Sequence, residues 1–62
     1  MPIKNHILEA AWGDPITYLT ASDLASIRQG NNIVVVDGEP WIIQYCVLVD
    51  GEHVYVAEPQ QM

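Results

Sequence analysis

The side chains able to do chemistry are few and scattered: His6, His53, Cys46, Ser22, Ser26 and eight carboxylates. Two histidines and one cysteine match no ligand spacing of a known metal site, so no metal and no other cofactor is expected. Neither serine sits in a Gly-x-Ser-x-Gly elbow. Cys46 falls among apolar neighbours, where a thiol is inert packing. Paired carboxylates could be assembled from the turn acids, but those are exposed to solvent and unsuited to acid–base catalysis. No glycine-rich phosphate loop is present, and an enzyme is not expected.

Binding chemistry remains. Glu9, Asp14, Asp23, Asp37, Glu39, Asp50, Glu52 and Glu58 stand against Lys4 and Arg28, for a formal net charge of −6. Two cations far apart in sequence cannot displace counterions from a phosphate backbone or hold an anionic bilayer, so direct nucleic-acid and membrane binding are excluded. A protein partner with a basic surface is the natural complement. The triplet Asp-Gly-Glu occurs twice, at 37–39 and 50–52. Its chemistry is turn-forming and solubilising, or it steers a basic partner. Trp41 and Tyr55 are residue types that anchor interfaces, as is Trp12, and each fits a core equally well. The candidate partner-binding set is Asp37, Glu39, Trp41, Asp50, Glu52 and Tyr55.

These residues must be positioned by strands. Ile33–Val36, Trp41–Val49 and His53–Ala57 are β-branched or apolar runs separated by Asp37-Gly38 and Asp50-Gly51. Asp-Gly between such runs specifies a type I′ hairpin, because that turn needs positive φ at both central residues. The spacing predicts a three-stranded antiparallel meander over about 33–36, 41–49 and 53–57. Two-residue loops set Val36 against Glu39, Val34 against Trp41, Val47 against Val54, Cys46 against Tyr55 and Tyr45 against Val56. Continuous alternation then gives one apolar core face of Val34, Val36, Trp41, Ile43, Tyr45, Val47, Val49, Val54 and Val56. The other face carries Ile33, Val35, Ile42, Gln44, Cys46, Leu48, His53 and Tyr55, and is mixed. Either the N-terminal segment folds over that face, or Ile33, Val35, Ile42, Leu48 and Tyr55 form a docking patch.

Before the meander, Thr20 reads as an N-cap with Asp23 three residues on, and Gly30 as the residue just past the C-cap, giving a helix over about 21–29. Its octet Thr20–Ile27 looks like the first helix of a helix-turn-helix, but strands follow rather than a recognition helix. Ile16–Leu19 reads as a short strand. Ile3–Trp12 fits a strand or a short helix; the strand, pairing with 16–19, gives the order β-β-α-β-β-β.

The expected fold class is α+β: this meander, extended by N-terminal strands, with one short helix on the core face. Sixty-two residues make one domain, 1–62, with a marginal core and no disulfide to staple it. Apolar faces and open edges predict a homodimer. No run approaches a membrane span, the N-terminus has no signal-peptide pattern and the single cysteine fits a reducing compartment, so the cytoplasm is expected. Two binding functions fit. One is an inhibitor or modulator of a basic nucleic-acid-handling complex, working through aromatic and aliphatic anchors ringed by a few acids. By class-level analogy, small acidic proteins of phages, including anti-restriction and anti-CRISPR proteins, work this way. The other is an assembly module that oligomerises or joins a larger complex through an apolar sheet face.

Overall fold

The computed structural model describes the backbone of residues 2–60 and the side chains of residues 5–60. Five strands and one helix follow in the order β1 (Pro2–Ala10), β2 (Pro15–Thr20), α1 (Ala21–Arg28), β3 (Ile33–Val36), β4 (Glu39–Val49) and β5 (Glu52–Pro59). They form a single sheet of spatial order β2-β1-β5-β4-β3. The element order is the expected one. The fold class is corrected: the chain is mostly β, a five-stranded mixed sheet curled into a half-barrel with one short helix, and not an α+β domain on a three-stranded antiparallel meander.

The sheet is mixed because β1 lies parallel to β5, pairing His6 with His53 through Ala10 with Ala57. Every other pair is antiparallel. The N-terminal hairpin therefore joins the sheet edge-on and makes β5 its central strand. It does not fold over the second face, as one reading of the sequence had it.

Local chemistry accounts for the turns and the helix. Asp37 and Asp50 have φ of 51° and 50°, followed by Gly38 and Gly51 at 78° and 81°. Positive φ at both central residues is the type I′ requirement. The registers these turns impose, Val34 with Trp41 and Val47 with Val54, are the ones observed. Thr20 caps α1 with a complete capping box: the Asp23 N–H donates to Thr20 Oγ1 at 3.1 Å, and the Thr20 N–H to Asp23 Oδ2 at 3.2 Å.

One residue decides the faces. Ile43 pairs with Ala57 and Tyr45 with Val56, so Gln44 is an unpaired bulge in β4. A bulge breaks the alternation of sides, and every residue beyond it changes face relative to a regular strand. Trp41 and Ile43 stay on the helix-covered face with Val34 and Val36. Beyond Gln44 that face carries Cys46 and Leu48, opposite Tyr55 and His53. Tyr45, Val47 and Val49 pass to the other side. The continuous core face expected from the sequence is therefore wrong after residue 43.

The core is small. Leu8, Ala10, Leu19, Leu24, Val34, Trp41 and Ala57 form one buried cluster between α1 and the sheet. Leu8 and Leu19 are its largest fully buried side chains, each contributing about 2 kcal/mol of burial. No helix among the described residues is long and apolar enough to cross a membrane.

Candidate interaction face

The bulge leaves the sheet face away from α1 with most of the exposed apolar surface. Tyr18, Ile33, Val35, Tyr45, Val47 and Val49 are between 41% and 65% exposed. The register puts all six on this face: Tyr18 pairs with Ile7, Ile33 with Ile42, Val35 with Pro40, Tyr45 with Val56, Val47 with Val54 and Val49 with Glu52. Val54 and Val56 are buried between them, although among the described residues no second layer covers the face. Val54 and Val56 are covered by their neighbours' side chains, so the face is apolar and solvated at once.

Three carboxylates share the face. Glu52 pairs with Val49, Glu58 with Ile42 and Glu9 with Val56. Arg28 ends the helix on the opposite side of the sheet. At one end Trp12, 62% exposed, rests on Trp41 with ring centroids 5.7 Å apart. It forms a shallow groove with Ile42, Gln44, Glu58 and Pro59. An exposed indole beside a carboxylate suits an apolar anchor followed by a cation.

The residues singled out from sequence are not gathered in one place. Asp37 and Glu39 lie at one end of β4, and Asp50 and Glu52 at the other, about 30 Å away at the rise of a strand. Trp41 is 9% exposed and belongs to the core. Tyr55 is half-buried on the helix-covered face; burial pushes its phenol pKa up, the Cys46 thiol beside it adds to this, and Arg28 opposes it. Only Glu52 lies on the open face itself. Sequence reasoning missed Tyr18, Tyr45, Val47, Val49, Glu9 and Glu58. A bulge leaves no turn residue or proline to announce it, so the side on which the three β4 residues emerge was not legible.

Past the end of α1's cover, the other face carries a polar cluster. His6 and His53 stack with centroids 4.5 Å apart and planes 8° from parallel. Tyr55 lies 6.0 Å from His6. The Nδ1 atoms of both histidines are buried and have no hydrogen-bond partner among the described residues. Burial lowers the His6 pKa, and the neighbouring His53 and Arg28 lower it further. A metal must lie in the plane of each imidazole that binds it, and two cofacial rings do not converge on one point. Among the described residues no three His, Cys, Asp or Glu side chains are placed to hold a metal ion.

No family model, curated protein or solved structure matches this chain.

Proposed function

We propose that this chain is a non-enzymatic protein-binding module that docks through the open sheet face. Its partner is a protein whose contact surface combines apolar and basic groups. The observation that supports this most is the coincidence on one uncovered face of Tyr18, Tyr45, Val47 and Val49 with Glu9, Glu52 and Glu58. The apolar groups supply affinity and the acids steer and select. Basic groups of this kind are the working surface of proteins that handle nucleic acid. An inhibitor or modulator of such a complex is the function that fits a net charge of −6.

The test is capture of a host complex by the immobilised chain, at low and at high salt, with two variants alongside. Retention of a nucleic-acid-handling complex at low salt, with loss at high salt, is the expected result, because exposed charges are screened. Glu9→Lys/Glu58→Lys and Tyr18→Ser should each lower retention at low salt at least tenfold. Equal retention by wild type and both variants would remove the open face from the function.

A further inference from the structure

β4 is longer than the strand beside it. β3 pairs only with Glu39–Ile42, and the last bond on that edge runs from the Ile43 N–H to the Asn32 carbonyl. From Gln44 to Val49, β4 has β5 on one side and, among the described residues, no strand on the other. The run is Gln-Tyr-Cys-Val-Leu-Val, without a charge or a proline. Its side chains are exposed on both faces: Tyr45, Val47 and Val49 on one, Cys46 and Leu48 on the other. Edges are normally protected by lysines, prolines, bulges or a covering loop. Here the bulge precedes the bare run and protects none of it.

We infer that the Gln44–Val49 edge is a strand-addition site occupied by a second copy of this chain, in an antiparallel β4–β4 pair about a two-fold axis through Val47.

Turn geometry fixes which backbone groups are available. The 49–52 turn is closed by the Glu52 N–H donating to the Val49 carbonyl, which makes Val49 and Glu52 a hydrogen-bonded pair. Alternation makes Val47–Val54 and Tyr45–Val56 hydrogen-bonded pairs as well. The N–H and C=O groups of Cys46 and Leu48 therefore point outward, to the vacant side.

A two-fold axis perpendicular to the sheet keeps like faces together, so residues must meet others of the same face. Centring on Val47 satisfies this. Tyr45 meets the partner's Val49, Val47 meets the partner's Val47, and Cys46 meets the partner's Leu48. Cys46 and Leu48 then exchange hydrogen bonds in both directions, four in all. Each facing pair is apolar, and aromatic against β-branched is among the better combinations. Gln44 meets the partner's Asp50, so no like charges are opposed. The lengths agree too: the partner's strand ends at its 50–51 turn where β3 begins, beside a hollow lined by Ser26, Gly30, Asn31 and Asn32. An unrelated peptide would need this same length and apolar pattern; a second copy has both.

The pairing makes one ten-stranded sheet and sets two open faces side by side. It stands independently of what those faces bind. The expected result is a concentration-dependent monomer–dimer equilibrium of the full chain by sedimentation. Val47→Lys opposes two ammonium groups across the axis and should weaken the dimer at least tenfold while leaving circular dichroism unchanged.

Cross-linking reads the register. Centred on Val47, the two residues form a non-hydrogen-bonded pair with Cα atoms about 4.5 Å apart, inside disulfide range. In a Cys46→Ser background, Val47→Cys should oxidise to a covalent dimer. Tyr45→Cys should not, because the two positions lie about 13 Å apart. A monomer at all concentrations, or cross-linking as efficient from position 45 as from 47, would overturn the inference. Neither outcome depends on a captured partner, so failure here and failure of the docking proposal are distinguishable.

Discussion

The two halves of β4 are both rich in apolar residues and have opposite environments. Glu39–Ile43 lies between β3 and β5, and Trp41 and Ile43 pack on the core under α1. Gln44–Val49 is the more apolar half but has, among the described residues, one neighbouring strand and exposed side chains on both faces. The exposed half is the more apolar of the two, so hydrophobicity does not decide which half is buried. What differs is the supply of neighbours: β3 has four residues, α1 has eight, and neither reaches the second half. A domain this small has too few residues to cover a strand of eleven. The uncovered half is where a partner or a second copy gains most.

Truncation sharpens this contrast most. Trp41→Ala removes the largest side chain of the covered half and should cost about 3–5 kcal/mol in denaturant unfolding. Val47→Thr in the uncovered half should stay within about 0.5 kcal/mol for the monomer. Similar losses at the two sites would mean that the second half is covered after all.

Deleting Gln44 tests the origin of the contrast. The deletion leaves Ile43 next to Tyr45, with their present partners Ala57 and Val56, so the ladder becomes regular and no side chain changes face. A cooperatively folded protein is expected, losing less stability than Trp41→Ala does. Under continuous alternation the same deletion would move Tyr45, Val47 and Val49 out of a core, and unfolding would follow.

The smallest effect concerns the stacked histidines where β1 meets β5. Burial, His53 and Arg28 hold the His6 pKa below its ordinary value of about 6.5. The unfolded chain thus binds more protons just below that pH than the folded one does. Stability is complete above about pH 6.5 and is lost as pH falls from there through the lower folded value. His6→Phe should flatten the slope between pH 7 and 5 in urea melts. An unchanged slope would place the titrating group elsewhere.

How much was legible follows from how local each feature is. The sequence by itself determined the two Asp-Gly turns with their registers and the capped helix. Positive φ, a side-chain cap and strand pairing across two residues are chosen within a few bonds of the residue responsible. It also set the charge balance, on which the proposal of a basic partner rests. Tertiary structure alone decided the parallel docking of β1 on β5, the bulge at Gln44, and hence the exposure of Tyr45, Val47 and Val49 on the open face. Parallel pairing joins segments more than forty residues apart with no turn to signal it. The bulge falls in the run Ile43-Gln44-Tyr45, which holds no glycine, proline or turn residue to announce it.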